Sequence, residues 1–153
     1  MGMKDVAITA AMKAGGILLE LSKIEIKHQM KGTHDIVAEA DLKTENAIIS
    51  EIRKHFTSHS ILSEEAGDIP GNPDHLWVID PLDGTINFSR SIEEYCTSIA
   101  VEHKGQLVLG VIYQPTTDRL FVAEKDKGAF LNGKKLSVSN GTNNLRAEAR
   151  RVD

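Results

Sequence analysis

Through roughly the first third of the chain, apolar residues recur every three or four positions; beyond about residue 96 they alternate with polar ones. From Asp5 to Leu21, the residues Ala7, Ala10, Ala11, Ala14, Ile17, Leu18 and Leu21 fall on one side of a predicted helix. Gly15-Gly16 interrupts it with residues that cost a helix interior about 1 kcal/mol each, which points to close packing against a neighbour. A second helix is predicted over Asp41–His55, with Ile48, Ile49, Ile52 and Phe56 on one side. Glu45 stands one turn after Asp41, so both acids share a side near that helix start. Taken alone, Asp41 also suits a plain N-cap. The preceding Asp35–Ala38 reads as a short strand or a loop.

Two short β-favouring runs follow, Ile61-Leu62 and Leu76–Ile79, the second apolar enough to be packed on both sides. Downstream, Thr97–Glu102, Leu107–Tyr113, Arg119–Ala123 and Ala129–Leu131 read as strands joined by turn-forming stretches, the last turn being the tight Asn132-Gly133. Short connections predict an antiparallel meander. The fold class is therefore α+β: two N-terminal helices packed on one face of an antiparallel sheet. The stretch Ala66–Pro73 carries two prolines and two glycines and reads as a surface connection, with a mobile flap as the competing reading.

Composition narrows the class. At 41% apolar and 26% charged, 153 residues can bury one real core. The single cysteine, Cys96, excludes an internal disulfide framework and suits a reducing cytoplasm. Lying at a strand start beside Tyr95, it reads as a small hydrophobe rather than a nucleophile. No long apolar span or signal-like segment stands out, which speaks against a membrane association. A net charge of −4 without clustered Lys and Arg speaks against nucleic acid as a partner.

The charge is unevenly spread. Between Glu64 and Glu94 there are eight acids and one base, whereas the remainder carries 17 bases against 14 acids. Charges this dense repel one another unless a cation sits among them. Within this window the strand Leu76–Ile79 runs into Asp80, Pro81, Leu82, Asp83 and Gly84. Pro81 biases Asp80 away from helical geometry, and Gly84 permits a tight turn or a close backbone approach. The chain is expected to leave the strand at Asp80. Asp80 and Asp83 could simply turn the chain. With the Glu64-Glu65 pair ending the upstream run, a bound divalent ion is the more economical reading. The candidate ligands are the carboxylates of Glu64, Asp80 and Asp83 and the Leu82 carbonyl; oxygen ligands suit Mg²⁺, Mn²⁺ or Ca²⁺ rather than zinc, and a carboxylate-poor site that keeps waters is the usual Mg²⁺ arrangement. The six histidines lie scattered in polar stretches and offer no competing set, with His55 and His59 read as solvated residues at a helix end.

DPLDGTINF at Asp80–Phe88, preceded by ILSEE at Ile61–Glu65 and DIVAEADLKTENAI at Asp35–Ile48, resembles the inositol monophosphatase family of Mg²⁺-dependent, lithium-sensitive sugar-phosphate phosphatases. The resemblance runs from about Val6 to Ser139. It implies that Glu64, Asp80 and the Leu82 carbonyl bind a first metal. Asp80 would bridge to a second ion that Asp83 also ligates. Asp41 and Thr85 would pair and, with Glu64, orient the attacking water, while the amides of Gly84 and Thr85 hold phosphate oxygens. Lys31-Gly32 would lie near the cluster.

The family also carries a W-D-x-A-A-G segment whose aspartate completes the second site. Here the single tryptophan is Trp77, and no such segment occurs. The expectation is thus the N-terminal half of the layered α/β/α/β/α sugar-phosphatase fold. Residues 3–140 would form a metal- and phosphate-binding domain and 141–153 a polar tail, without the family's C-terminal α/β domain. The implied activity is Mg²⁺-dependent hydrolysis of a small sugar or polyol phosphate by a cytoplasmic homo-oligomer. Fructose 1,6-bisphosphate and nucleotide 3′-phosphates are alternative substrates. A binding module without turnover, or a subunit completed by another chain, are the alternative functions.

Overall fold

A computed structural model of the chain describes residues 1–28 and 34–138, with side chains described outside 24–36. Lys31-Gly32 and the 141–153 tail lie outside the described residues. Helix α1 spans Met3–His28 and α2 spans His34–His55. Strands β1 (His59–Ser63), β2 (Gly67–Ile69) and β3 (Asn72–Asp83) follow, then a single-turn helix α3 (Thr85–Ser89). Strands β4 (Cys96–His103), β5 (Gln106–Gln114), β6 (Arg119–Glu124), β7 (Gly128–Leu131) and β8 (Lys134–Lys135) complete the chain, with a 3₁₀ turn at Pro115–Thr117.

The eight strands form one sheet in the order β2-β1-β3-β4-β5-β6-β7-β8. From β3 to β8 every pairing is antiparallel, as the short turns require. The sheet as a whole is mixed, however, because β1 and β3 run parallel. The stretch expected to be a surface connection contains β2, which turns back along the outer side of β1 and returns the chain to pair on its inner side. That return passes tightly under the start of β1: a Cβ on Gly71 would stand 2.4 Å from the Ser58 carbonyl oxygen. Glycine is needed there for space.

Both helices lie on one face of the sheet, α1 over β4 and β5 and α2 over β3. Val6, Ala7, Ala10, Ala11 and Ala14 of α1 and Ile48 and Ile52 of α2 pack onto Ile61, Trp77, Ile79, Ile99, Val101 and Val111. The small side chains of α1 let its backbone approach closely. Gly15 is the extreme case, since a Cβ there would meet the Tyr113 ring at 2.5 Å, whereas nothing stands within 4 Å of one on Gly16. Only the first of the two glycines answers to close packing.

Helix α2 begins seven residues before the expected Asp41, so Asp35–Ala38 is helical rather than strand or loop. Val37 and Ala40 pack with Leu18, Leu21, Leu82, Phe88 and Tyr95 in a second cluster, and this burial extends the helix toward its N-terminus. Asp41 is therefore a mid-helix residue and not an N-cap. Leu76–Ile79 is also less enclosed than expected. Trp77 and Ile79 are buried under the helices, while Leu76 and Val78 on the other face are half-exposed.

Beneath the end of α2, imidazoles from three strands stack. His59 and His75 lie 4.2 Å apart and nearly parallel, His75 and His103 lie 4.5 Å apart, and Phe56 covers His59 at 4.6 Å. The Trp77 indole N–H donates to His59 Nδ1 at 3.0 Å. His59 is thus a packed strand residue, contrary to the solvated helix-end position expected from its spacing. Among the described residues no helix is long and apolar enough to cross a membrane.

Candidate active site at the ends of two parallel strands

Because β1 and β3 are parallel neighbours, their C-terminal ends lie side by side. Ser63 pairs with Ile79, which sets Glu64 across from Asp80. Strand pairing does not stop at Asp80, as the prolyl loop predicted. Asp80 pairs with Ser98 and Asp83 with Cys96, with a bulge between the two aspartates. A bulge inserts an extra residue and re-aims the side chains around it, so both carboxylates are delivered from a rigid strand. The Pro81 carbonyl accepts the buried Thr97 hydroxyl at 2.9 Å, fixing the bulge from behind.

Gly84 then turns the chain at φ +94°. A Cβ there would meet the Glu94 carbonyl oxygen at 2.8 Å, so both the backbone angle and the space demand glycine. Its carbonyl accepts the Phe88 N–H at 2.9 Å, starting α3. The Thr85 hydroxyl donates to the Leu82 carbonyl at 3.0 Å. Thr85 and Asp41 line one cleft of about 400 Å³ with Val37, Ala38, Glu65, Ile86 and Ser89. The structure brings this pair to the same space, but the single proton of the Thr85 hydroxyl goes to Leu82 rather than to Asp41. A second cleft, of about 290 Å³, opens beside Asp83 and Gly84 and is lined by Asn87, Glu94, Cys96 and Gln114 among others.

The electrostatics leave negative charge uncompensated. Burial, then the negative charges of Glu64 and Asp83, push the Asp80 carboxyl up to about 6. Asp80 Oδ1 is buried without a hydrogen-bond partner. Asp41 is likewise pushed up to about 6, by burial first and then by Glu65, Glu64 and Glu45. Among the described residues, the ion pairs engage Glu39, Glu51 and Glu124 and none of these acids. An orphaned carboxylate oxygen amid uncompensated charge fits a hard divalent ion. Among the described residues, however, no three His, Cys, Asp or Glu side chains stand close enough together to hold an ion by themselves. The donors in the acidic cluster are all oxygens, which suit Mg²⁺ rather than zinc. Cys96 stands apart from this chemistry. Its thiol contacts Asp83 Oδ2 at 3.7 Å, and burial, with Asp83, pushes it up to about 11, so it stays protonated.

One acid matters more than its spacing indicated. Glu45 is 3% exposed, and its Oε1 accepts the Ser63 hydroxyl and, at 2.8 Å, the Ala66 N–H. Sequence spacing put it beside Asp41; only the β1–β2 turn, which periodicity did not reveal, shows what it holds.

Carboxylates at the ends of adjacent strands, beside the Gly84 turn, give the chain an acidic centre open to two clefts. A profile of the inositol monophosphatase family matches residues 2–152, and the chain belongs to that family. It is 41% identical over 140 residues to an inositol-1-monophosphatase from Mesorhizobium japonicum, covering 88% of this chain and 52% of that protein. It is 39% identical over 140 residues to the Nus factor SuhB of Escherichia coli K12, covering 90% and 52%. Among solved structures, suhB from Bartonella henselae superposes with a TM-score of 0.81 at 39% identity, covering 90% of this chain and 54% of that one. An inositol monophosphate-bound SaIMPase-II superposes with a TM-score of 0.72 at 30% identity, covering 92% and 51%. The chain spans about half the length of the curated relatives it matches.

Proposed function

We propose that this chain carries the metal- and phosphate-binding part of a divalent-metal-dependent phosphomonoesterase acting on a small sugar or polyol phosphate such as inositol 1-phosphate. The observation behind this reading is Asp80, whose Oδ1 is buried without a hydrogen-bond partner and whose carboxyl faces the charges of Glu64 and Asp83. Glu64, Asp80 and the Leu82 carbonyl would hold a first ion, with Asp83 and Asp80 serving a second. Mg²⁺ is the expected ion and Mn²⁺ a substitute. When bound, such ions neutralise phosphoryl charge and make a bound water more acidic. The chain's own residues do the rest. The amides of Gly84 and Thr85 take phosphate oxygens; α3 is a single turn, so individual N–H groups matter more than a helix dipole. Asp41, with Glu64 and Thr85, orients the attacking water.

In this reading, residues 3–140 act as one unit, and a further aspartate from the family's W-D-x-A-A-G segment completes the second ion's shell. Lithium sensitivity, a homodimer and a cytoplasmic location belong to the same proposal, as does a small phosphate ester, rather than nucleic acid, as partner of a chain with net charge −4. The alternative is a metal- and phosphate-binding module without turnover. The test is phosphate release from inositol 1-phosphate, fructose 1,6-bisphosphate and a nucleoside 3′-phosphate, with Mg²⁺ and with chelator, by residues 1–153 and by a version joined to a family C-terminal half. The expected result is weak or no release by residues 1–153, and Mg²⁺-dependent release by the joined form that Asp83→Asn and Thr85→Ala each cut by orders of magnitude. Release that ignores chelation, or survives either substitution, refutes the reading.

A further inference from the structure

We propose that Glu45 is a positioning residue for the acidic centre, its buried carboxylate clamping the turn that presents Glu64 and Glu65. The turn is the three-residue link between β1 and β2, closed by the Ser63–Gly67 pair, with Gly67 at φ +69°. This is the hairpin form that places a glycine in the left-handed region. The link consists of Glu64, Glu65 and Ala66. Two acids next to each other, facing Asp80 and Asp41, would drive such a link outward into solvent. Glu45 opposes that from below. One oxygen of its carboxylate takes the Ser63 hydroxyl and the Ala66 N–H, which bracket the two acids on either side. Without Glu45 the Ala66 N–H would turn to water, and the link would lose its tie to α2.

A purely structural role fits this arrangement poorly. A carboxylate that is 3% exposed, with no Lys or Arg ion pair among the described residues, is costly to bury and adds negative charge to a region already crowded with it. An apolar residue would fill the same place between α2 and β1 more cheaply. What it could not do is accept two hydrogen bonds from the flanks of Glu64-Glu65. The anchor is also well placed to be stiff, since α2 is packed onto β3 through Ile48 and Ile52. Helix α2 therefore sets the Glu64–Asp80 spacing through Glu45, rather than through any contact of its own with the ion.

The metal part of this inference rests on the proposed function, and the test separates the two. Mn²⁺ affinity is measured by electron paramagnetic resonance on wild type, Glu45→Gln, Glu45→Ala, Ser63→Ala and Asp80→Asn, well below each melting point, with amide exchange followed at residues 63–67. Glutamine keeps the accepting Oε1 and loses only the charge. Clamping predicts Mn²⁺ affinity within about twofold of wild type for Glu45→Gln, and a 10- to 100-fold loss for Glu45→Ala, the usual range for supporting residues behind metal ligands. Ser63→Ala falls between, and Ala66 exchange accelerates only in Glu45→Ala. Equal losses in Glu45→Gln and Glu45→Ala would mean that charge, not clamping, matters and would overturn the proposal. So would unchanged affinity in a folded Glu45→Ala. If Glu45→Ala does not fold, Glu45→Gln and Ser63→Ala decide by the same criteria. Should wild type bind no Mn²⁺, the metal reading fails, and the clamp stands or falls on Ala66 exchange alone.

Discussion

Replacing Asp80 by Asn should stabilise the metal-free chain and abolish its response to Mg²⁺, two effects of opposite sign from one substitution. Without metal, the folded protein holds a carboxylate that titrates near 6 instead of near 3.8, because it is half-enclosed and faces Glu64 and Asp83. That gap is worth about 3 kcal/mol at pH 7 if unscreened. Solvent reaches the cluster, so the usable part is on the order of 1 kcal/mol. Asparagine removes the charge and offers N–H groups to the Glu64 carboxylate. In a chain of this size 1 kcal/mol moves the melting point by about 3 °C. With metal, wild type should gain about 2.7 kcal/mol at a hundredfold excess over the dissociation constant, or roughly 8 °C.

The assay is thermal unfolding at pH 7 by circular dichroism, with chelator and with millimolar Mg²⁺. Asp80→Asn should melt above wild type in chelator and below it in Mg²⁺. The same charges set a pH window. Asp80 and Asp41 are both raised in the folded state, so their protonated forms favour folding; the metal-free chain should lose stability as pH rises from about 4 through about 6. Asp80→Asn should flatten that slope. A variant that melts below wild type in chelator, or that keeps the Mg²⁺ shift, would refute the placing of Asp80 at the heart of a cation site.

His59 titrates with the opposite sign. His59 is lowered by burial first, then by His75 and Arg53, so with Mg²⁺ present stability should be intact above pH 6.5 and fall as pH drops through the lower folded value. His59→Gln, which keeps an acceptor for the Trp77 indole, should weaken that acid dependence in melting curves from pH 7.5 to 5. Gly84→Ala should cost at least 1–2 kcal/mol, since alanine would have to occupy φ +94° and push against the Glu94 carbonyl oxygen. Urea unfolding measures this, and a loss below 0.5 kcal/mol would show that the turn yields.

Local signals carried much of this fold and long-range ones did not. The helical stripe Ala7–Leu21, the alternation after residue 96 and the glycine turns between strands are written in consecutive residues, and each became the expected element. The α2 start was missed because Val37 and Ala40 extend the helix only by packing on Leu18, Leu82 and Phe88, residues remote in sequence. Strand β2 is three residues of Gly-Asp-Ile whose pairing to β1 no periodicity discloses. At Asp80-Pro81, backbone preference predicted departure from the strand, but Pro81 needs no N–H partner in a bulge and Thr97 binds its carbonyl, so pairing resumes at Asp83. For the site, acid density and the DPLDGT run indicated which side chains matter. Glu45 and the histidine stack could not be read that way, because each depends on a register between elements.

The sheet register also decides where the acidic centre faces. Along β3 the side chains alternate, and Trp77 and Ile79 point under the helices. Asp80 therefore belongs to the opposite face, in a row with Ser98, Ile112, Phe121 and Leu131 on the neighbouring strands. The adjacent row runs Leu62, Val78, Ala100, Gly110, Ala123 and Ala129. Neither helix reaches this face, and Leu62 and Ile112 are each more than 40% exposed on it. An ion held by Asp80 is enclosed by β1 on one side and by the Gly84 turn on another, so any further ligand has to arrive over the uncovered face. The chain matches only about half of its relatives' length. On the proposed reading, the register of β1 and β3 thus sets these carboxylates rigidly while leaving Asp80 Oδ1 without a partner and one face of a bound ion open.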